Sequence, residues 1–385
     1  MSDVLIDATR LLWRLAKGRL PTGIDRVCVA YMRRYGATAR AVLKTGPLTA
    51  VLPASLSREL FALLQAPERG LARRTMPLIG WYALGGSRER IRNNSVLIDL
   101  GHTGFDTATY QDWLKRNNLR SIVMIHDLIP VTHPEYCRPR DSARHIRRVE
   151  GALRGANAIV TNSAATLKAL NLFASNRGLT MPPVVAAPLA PCALDCVVSG
   201  LRPLRGPYFV MLSTIEPRKN HWMMLHIWRR LVESLGESAP RLIVIGQRGW
   251  ENENVLDLLD RCDALRGFVY ERADCSDTEM MNYLRHSEAL LFPSFAEGYG
   301  LPLVEALSVG VPVIASDLPV FREIAGEVPE YLDPLDGMGW LGCIKSYCDP
   351  DSTLRPAQLL RMRTFNPPTW NAHFAQFEQL LERVS

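Results

Sequence analysis

The stretch that decides the fold is PSFAEGYGLPLVEALSVGVPVIASD, residues 293–317. It runs from the end of an apolar strand through a glycine-rich turn into a helix that Gly310 and Pro312 terminate, and then into a second apolar strand. Apolar strands separated by helices indicate a parallel sheet covered on both faces. Two glutamates, Glu297 and Glu305, stand in this unit at the strand-to-helix junction, where open parallel sheets bind their ligands.

The same alternation of strand and helix runs along the chain in two series. The candidate strands are 4–8, 95–100, 121–127, 158–163, 183–189, 208–212, 241–246, 267–271, 288–294 and 312–316. A stretch rich in Gly, Pro and Arg, VSGLRPLRGPY (198–208), separates the two series and is typical of an interdomain linker. We therefore predict an α/β protein with two Rossmann-like, doubly wound parallel-sheet domains, residues 1–200 and 201–366.

Length and composition limit the class of protein. A chain of 385 residues exceeds the roughly 250–300 residues that one hydrophobic core usually serves, and 47% hydrophobic with 22% charged residues is typical of a globular protein. The first 20 residues carry Arg10, Arg14, Lys17 and Arg19 and lack the apolar core of a signal peptide. The eight cysteines are scattered without the CxxC pairs of a zinc site. These features predict a cytoplasmic protein.

The two halves of the chain carry opposite charge. Residues 1–200 hold 27 Lys and Arg against 14 Asp and Glu, whereas residues 201–385 hold 18 against 25. Part of the positive charge lies in RPRDSARHIRRVEGALRG, where Arg140, Arg144, Arg147 and Arg148 share one face of a predicted helix. Two interpretations remain open at this point, a solvated helix face and a surface for an anionic partner.

The glycine-rich turn of residues 293–317 has the features of an anion site. The backbone of Gly298, Tyr299 and Gly300 can approach a ligand closely, and the helix that follows from Leu301 presents free amide groups. With Pro302 at the first helical position, Glu305 falls in the first turn, where a carboxylate can accept hydrogen bonds from ribose hydroxyls. A nucleoside diphosphate bearing a sugar satisfies these groups together. The alternative is that Glu305 compensates the helix dipole and the glycines only form a turn.

At this point the chain resembles the retaining GT-B glycosyltransferases of the GT4 type, whose E-x7-E motif matches Glu297 and Glu305. The resemblance extends to MIHDLIPVTHPEYC, ANAIVTNSAATLKAL, STIEPRKNHWMMLHIW and RLIVIGQRGW, in the order of that family. It implies two domains that face each other across a cleft, with the last helix, about 367–385, packed back on the first domain.

The resemblance also assigns roles to residues of the second domain. Glu305 would bind the ribose, Glu297 the hydroxyls of the transferred sugar near C3, and Lys219 the donor diphosphate. Many members have an arginine where this chain has Thr214, which leaves that role vacant, and the neighbouring Arg218 is a candidate substitute whose role stays open at this point. Nucleotide-sugar contacts are also expected from the loop and helix start, namely Gly298, Tyr299, Gly300 and Leu301.

In the first domain, the resemblance points to two further places. Thr22 and Gly23 correspond to a glycine loop that meets the donor phosphates. His126 matches a histidine that helps to hold the sugar, and Asp127 is expected to orient either the acceptor or the loop. No metal is expected, because the one D-x-D sequence, Asp349 to Asp351, does not follow an apolar strand.

These matches predict transfer of a sugar from a nucleotide-diphosphate sugar with retention of configuration, without a metal or other cofactor. PTGIDRV and HDLIPVTHPEY resemble enzymes of bacterial polysaccharide assembly, some of which use GDP-mannose. The expected acceptor is a glycan or a lipid-linked oligosaccharide, reached from the anionic inner face of the plasma membrane through the four arginines.

Alternatives remain within and outside this class. A soluble small-molecule acceptor, or a sugar phosphorylase or sucrose-type synthase with the same fold, is compatible with the motifs. A basic nucleic-acid-binding protein lacks a recognisable module, so no nucleic-acid partner is expected. A dinucleotide oxidoreductase lacks a G-x-G-x-x-G sequence after its strands.

Overall fold

The computed structural model of the protein describes residues 3–18, 22–46, 48–66, 91–92, 94–191 and 200–385. The chain forms two compact units. Unit 1 comprises Met1–Val131, Arg140–Leu189 and Thr369–Ser385, and unit 2 comprises Thr132–Pro139 and Ala190–Pro368. These units differ from the predicted domains at the boundary near residue 190 and in the short segment Thr132–Pro139, which goes with unit 2.

Unit 1 is built on a seven-stranded sheet with the order β3-β2-β1-β4-β5-β6-β7. All neighbouring strands are parallel except β2 and β3. The strands are β1 (Val4–Asp7), β2 (Arg40–Thr45), β3 (Leu48–Val51), β4 (Val96–Asp99), β5 (Arg120–Ile125), β6 (Ala158–Thr161) and β7 (Val184–Ala186). Every residue of β4 and β6 is buried, which explains why these strands are apolar throughout rather than alternating.

The helices of this part of the chain lie between the strands, as the sequence pattern predicts. They are α1 (Thr9–Ala16), α2 (Gly23–Tyr35), α3 (Ala54–Gln65), α4 (Ala108–Arg116), α5 (Ile129–Thr132), α6 (Asp141–Gly155) and α7 (Ala164–Asn176). One side of the sheet packs with α4, α6 and α7 in a single core that includes Leu97, Val123, Phe105, Val149 and Leu170.

The last helix of the described chain, α15 (Trp370–Val384), is part of unit 1. Its buried His373 accepts a hydrogen bond from the Tyr31 hydroxyl at Nε2, 2.8 Å away, and lies 3.1 Å from the carbonyl oxygen of Ala187 at Nδ1. Tyr31 also packs edge-on against Phe374 and Phe377, with ring centroids 5.0 Å apart in both pairs. This aromatic cluster, Tyr31 with His373, Phe374 and Phe377, anchors the helix to the β7 end of the sheet and to α2.

Unit 2 is built on a six-stranded parallel sheet with the order β10-β9-β8-β11-β12-β13. Its strands are β8 (Tyr208–Leu212), β9 (Arg241–Ile245), β10 (Val269–Arg272), β11 (Leu290–Phe292), β12 (Val313–Ser316) and β13 (Glu330–Leu332). Its helices are α8 (His221–Leu235), α9 (Glu253–Arg261), α10 (Asp277–Arg285), α11 (Leu301–Ser308), α12 (Pro319–Ala325), α13 (Gly337–Cys348) and α14 (Leu354–Met362). Trp228 and Trp340 are fully buried in its core.

The two sheets confirm the predicted α/β class and the GT-B pair of doubly wound parallel-sheet domains. All ten strands predicted from the sequence are present, and β2, β3 and β13 were missed. Within the described part of the chain, no helix is both long and apolar enough to span a bilayer. Each strand order reverses once, between β1 and β4 in unit 1 and between β8 and β11 in unit 2, and such reversals open a crevice for ligands.

Candidate active site

The reversal in unit 2 brings together the loops that follow β8 and β11. The first loop, residues 213–220, carries Arg218 and Lys219 in a short 3-10 turn, Pro217–Lys219. The second loop, residues 293–300, carries Glu297. The backbone N–H of Phe295 donates to the carbonyl oxygen of Arg218 over 2.8 Å and joins the two loops. Residues 78 positions apart in sequence therefore meet at one edge of the sheet.

Lys219 lies at the centre of this meeting point. Its side chain is nearly buried, and its ammonium group lies 5.3 Å from the ring centroid of Phe292 and directly contacts Glu297 Oε1. Asn220 follows in the left-handed conformation, with φ 57°, and begins α8. A cation at a helix start opposes the helix dipole, so the dipole does not stabilise Lys219 there. The ion pair with Glu297 does.

Glu297 is held by three donors. Arg218 Nη1 donates to Oε2 over 2.8 Å, Lys219 contacts Oε1, and the Ser294 hydroxyl donates to Oε1 over 2.8 Å. On its other side, Arg218 Nε lies 2.7 Å from Oε1 of the buried Glu216. We call Glu216, Arg218, Lys219 and Glu297 the charge cluster. It contains two carboxylates and two cations, so its formal charges cancel.

The pKa values of the cluster follow from burial and these contacts. Burial raises the pKa of Glu297, but the charges of Arg218 and Lys219 outweigh it and bring the pKa down to about 2. Burial and the neighbouring Arg218 lower the pKa of Lys219, while Glu297 and Glu216 oppose that shift. Both shifts are consistent with an ion pair between Glu297 and Lys219. Two cations stabilise the carboxylate of Glu297, whereas the neighbouring cation Arg218 disfavours the charged form of Lys219. Glu297 is therefore a carboxylate at any physiological pH.

The loop and helix after Glu297 have the shape that the sequence indicates, with one correction. Gly300 adopts φ 128°, and a Cβ there would lie 2.8 Å from the Phe321 ring, so only glycine fits. α11 begins at Leu301, which makes Pro302 its second residue and Glu305 its fifth. The prediction of Glu305 in the first helical turn is thus wrong by one position, because Leu301 already belongs to the helix. Glu305 is 2% exposed.

Thr214 and Arg218 occupy neighbouring parts of the first loop. Thr214 is half-buried and lies against Gly249, where an added Cβ would be 3.0 Å from the threonine Cγ2. Arg218 places its guanidinium at the second loop, where Nη1 also donates to the carbonyl oxygen of Ala296 over 3.0 Å. The chain therefore supplies a guanidinium beside Lys219 although position 214 lacks one.

In unit 1, His126 directly follows β5 and is 4% exposed. Its Nε2 donates to the carbonyl oxygen of Leu100 over 2.8 Å, and its backbone N–H donates to Nε2 of His102 over 3.3 Å. Burial lowers the pKa of His126 to about 4, so the imidazole is neutral. Asp127 accepts the backbone N–H of Ile129 at Oδ1 over 3.0 Å, which fixes the turn into α5.

Thr22 and Gly23 begin α2 in a capping box. The backbone N–H and the hydroxyl of Thr22 both donate to Asp25 Oδ2 over 2.7 Å. The buried Asp25 also binds Arg10 at 3.2 Å and Arg14 at 3.1 Å. Two of the four cations in the first 20 residues, Arg10 and Arg14, are thus engaged with Asp25. Arg19 lies outside the described residues.

The four arginines of the basic segment differ in exposure. Arg140, at the start of α6, and Arg144 and Arg147 are exposed, and Arg144 Nε lies 3.1 Å from Asp106 Oδ2. Arg148 is half-buried, and its Nε lacks a hydrogen-bond partner among the described residues. The charge of Arg148 acts on the buried Asp99 and partly opposes the rise in the pKa of that carboxyl group.

Sequence reasoning missed a buried pair of carboxyl groups in unit 1. Asp7 and Asp99 end β1 and β4, which run side by side in register from Val4 and Val96. Each has one oxygen held by backbone N–H groups, whereas the other oxygen, Oδ2, has no hydrogen-bond partner among the described residues. Burial raises the pKa of Asp7 to about 6 and that of Asp99 well above its usual value. The signal was an aspartate after each apolar strand, in VLIDA and VLIDL.

Within the described ranges, no group of three or more His, Cys, Asp or Glu side chains is arranged to hold a metal ion. The cations of the charge cluster, Arg218 and Lys219, lie at the β8–β11 reversal, and Lys and Arg side chains can both bind phosphate oxygens directly.

Comparison with known proteins supports the same class over the second half of the chain. Residues 199–328, which include the charge cluster and α11, match the model of the glycosyl transferases group 1. The part of the chain that carries the charge cluster is therefore similar to that family, in agreement with the GT-B fold of the two sheets.

Bacterial mannosyltransferases are among the relatives of this GT-B chain. The O-antigen chain mannosyltransferase B of Escherichia coli is 28% identical over 225 residues, which cover 56% of the chain and 58% of the relative. The serotype-specific mannosyltransferase WbdA of Escherichia coli is 36% identical over 121 residues, 31% of the chain and 15% of WbdA. The chain thus spans less than two thirds of the length of these curated relatives.

Solved structures share the fold over the whole chain. Anabaena Alr3699/HepE in complex with UDP-glucose has a TM-score of 0.68 at 13% identity, covering 99% of this chain and 100% of the other. The sucrose-phosphate synthase of Thermosynechococcus elongatus has a TM-score of 0.63 at 15% identity, covering 100% and 99%. At these identities the likeness concerns the fold alone.

The site residues predicted for this GT-B glycosyltransferase fall into two groups. In unit 2, Arg218, Lys219 and Glu297 come into direct contact, and the loop Gly298 to Gly300 leads from them to Glu305. In unit 1, His126 and Asp127 follow β5, while Thr22 and Gly23 cap α2. The roles of these residues toward a substrate remain predictions.

Proposed function

We propose that this chain transfers a mannosyl group from GDP-mannose to a glycan or lipid-linked oligosaccharide during synthesis of a bacterial surface polysaccharide, with retention of configuration. The observation that carries the proposal is the pair of cations at the strand-order reversal of unit 2, the buried Lys219 and the partly buried Arg218. The names of the relatives support the sugar and the acceptor class, since they are O-antigen mannosyltransferases.

Different residues of unit 2 bind different parts of the donor. Lys219 and Arg218, with the amide groups at the start of α11, bind the diphosphate and stabilise the negative charge that develops on it as the glycosidic bond breaks. Glu305 accepts hydrogen bonds from the ribose hydroxyl groups, and Glu297 faces the hydroxyl groups of the sugar. The acceptor hydroxyl attacks from the face that the diphosphate leaves, and a phosphate oxygen takes its proton. This scheme requires no metal ion.

A donor panel tests the proposal. GDP-mannose, GDP-fucose, UDP-glucose, UDP-galactose and UDP-N-acetylglucosamine are compared by slow donor hydrolysis and by thermal shift, with EDTA present throughout. At 100 times its dissociation constant, a ligand stabilises the protein by about 2.7 kcal/mol, enough for a clear shift. GDP-mannose is expected to give the largest effect in both assays. A larger effect of a UDP-sugar would contradict the proposed donor, and activity that returns only with Mg²⁺ or Mn²⁺ would contradict the metal-free scheme.

Replacement of Glu305 by glutamine is expected to weaken binding of both GDP and GDP-mannose. A hydrogen bond to a charged group contributes roughly 1.5–3 kcal/mol, which corresponds to about a 10- to 150-fold loss of affinity. Calorimetry with both ligands measures it, and Glu253→Gln on the exposed side of α9 is the matched control. Unchanged GDP affinity in Glu305→Gln would remove this residue from the nucleotide site.

Replacement of Arg144 and Arg147 by glutamine is expected to reduce binding to anionic vesicles. Each exposed cation near an anionic surface contributes about 1 kcal/mol, so the double variant loses roughly 10- to 30-fold in partitioning. Sedimentation with vesicles of 30% phosphatidylserine at low salt provides the measurement. Arg261→Gln with Arg266→Gln, two exposed arginines of unit 2, changes the net charge equally and is expected to have little effect. Equal loss in both double variants would make α6 a solvated face and favour a soluble acceptor.

A further inference from the structure

The cations assigned to the diphosphate are already occupied in the free protein. Both contact the carboxylate of Glu297, Arg218 through Oε2 at 2.8 Å and Lys219 through Oε1. The side chains of Lys219 and Glu297 are each 9% exposed, so water does little to screen this pair. A diphosphate that enters the site therefore meets cations whose charge is neutralised, and a carboxylate that repels it at contact distance.

Resting on the proposed function, we infer that Glu297 exchanges partners when the donor binds. In the free protein its carboxylate holds Arg218 and Lys219. With the nucleotide sugar bound, it turns to the hydroxyl groups of the sugar, and both cations bind the diphosphate.

The contacts around Arg218 permit such an exchange without loss of its position. A guanidinium has five N–H donors in a fixed fork, and Arg218 directs Nε to the buried Glu216 over 2.7 Å while Nη1 binds Glu297. When Glu297 leaves, the contact with Glu216 still orients the arginine. Glu216 is therefore a positioning residue, and Glu297 is the mobile partner.

The exchange makes Glu297 a specificity residue for the intact donor. GDP-mannose offers hydroxyl donors that receive the displaced carboxylate, whereas GDP and inorganic pyrophosphate do not. When GDP or pyrophosphate binds, the carboxylate of Glu297 is displaced from the two cations and finds no hydroxyl group in their place. Glu297 thus weakens binding of the product diphosphate relative to the donor and favours release of the product.

Calorimetry with inorganic pyrophosphate, GDP and GDP-mannose tests this inference. In Glu297→Gln, pyrophosphate and GDP are expected to bind about tenfold more tightly than in the wild type, because the competing carboxylate is gone, whereas GDP-mannose is not tightened. Glu288→Gln is the matched control, since Glu288 pairs with Arg202 and Arg355 elsewhere in unit 2, and it should leave all three affinities unchanged. Arg218→Gln in the Glu297→Gln background should abolish the gain for pyrophosphate.

A second variant covers the case that Glu297→Gln fails to fold because Lys219 loses the carboxylate it contacts. Ser294→Ala keeps all four charges and removes only the 2.8 Å hydrogen bond that holds Glu297 Oε1. Ser294→Ala should also increase the affinity for pyrophosphate, by about twofold. If neither variant binds pyrophosphate more tightly than the wild type, the exchange is overturned. Tighter pyrophosphate binding without binding of any nucleotide sugar would support the competition by Glu297 and contradict the proposed donor instead.

Discussion

Replacement of Lys219 by methionine is expected to lower kcat/KM for sugar transfer by about 10²–10³-fold, as loss of one preorganised donor to a developing oxyanion does. Methionine keeps the unbranched chain in the space beside Phe292 but removes the charge. Arg218 remains and retains part of the electrostatic stabilisation, so activity should fall without vanishing. Initial rates with GDP-mannose and a mannose-terminated acceptor measure the effect.

The control is Lys345→Met, on an exposed position of α13 in the same unit. It should leave kcat/KM unchanged. Because Lys219 is buried against Glu297, thermal unfolding of both variants must be compared, since Glu297 then keeps Arg218 and Ser294 as donors and the loss of one partner of a buried ion pair lowers stability. A folded Lys219→Met variant with wild-type kcat/KM would exclude Lys219 from catalysis.

The second large effect is expected on stability. Asp7→Asn should raise the free energy of unfolding of unit 1 at pH 7.5 by about 2–3 kcal/mol, because a pKa shift of about two units corresponds to that energy. In the folded protein burial raises the pKa of Asp7 to about 6, against hydrogen bonds from Thr9 and Thr103 and the charge of Lys44. The neighbouring Asp99, whose pKa is raised by burial and by Asp7, shares the same surroundings.

The sign follows from proton binding. Between pH 4 and about 6 the folded protein keeps a proton on Asp7 that the unfolded chain has released, so wild-type stability falls as pH rises through this window. Asparagine does not titrate, and its amide can donate to the unpartnered oxygen of Asp99. The variant should therefore match the wild type near pH 4 and exceed it above pH 6.

Unfolding is measured at pH 4, 5, 6 and 7.5. Limited proteolysis with mass analysis is the readout, because it distinguishes the transition of unit 1 from that of unit 2. The control with opposite sign is Asp25→Asn. Asp25 is equally buried but binds Arg10, Arg14 and Thr22, so loss of its charge should destabilise unit 1. A destabilised Asp7→Asn variant at pH 7.5 would show that the carboxylate has a partner that stabilises it.

The fold could be predicted best from the sequence where a strand is buried on both faces. Such strands are continuous apolar runs, as in SVLIDL or YFVML. β7 and β10 are at most half-buried but were still predicted. Of the three missed strands, β2 contains Arg40 and Lys44, which interrupt its apolar run, and Arg40 pairs with Asp3. β3 forms the antiparallel edge, with Leu48 exposed, and β13, with Glu330, has a charged residue among its three.

The sequence predicted which residues belong to the candidate site, but not which of them contact each other. Strand-to-helix junctions and the family motif pointed to Lys219 and Glu297, each with its own part of the substrate. Their direct ion pair depends on the reversal of strand order that puts β8 beside β11, and sequence spacing does not show which strands are neighbours. The same reason hid the pair of Asp7 and Asp99, because their proximity exists only once β1 lies beside β4.

The aromatic cluster that anchors α15 has a consequence for how the protein is made. His373, Phe374 and Phe377 follow the long segment Ala190–Pro368, whereas their partner Tyr31 and the strand β7 are synthesised before it. At about 5–20 residues per second, a ribosome needs roughly 10–35 s for that segment. During this time the nascent unit 1 lacks the helix that covers part of its apolar surface. Unit 1 can therefore be completed only after the segment that forms unit 2 has been synthesised.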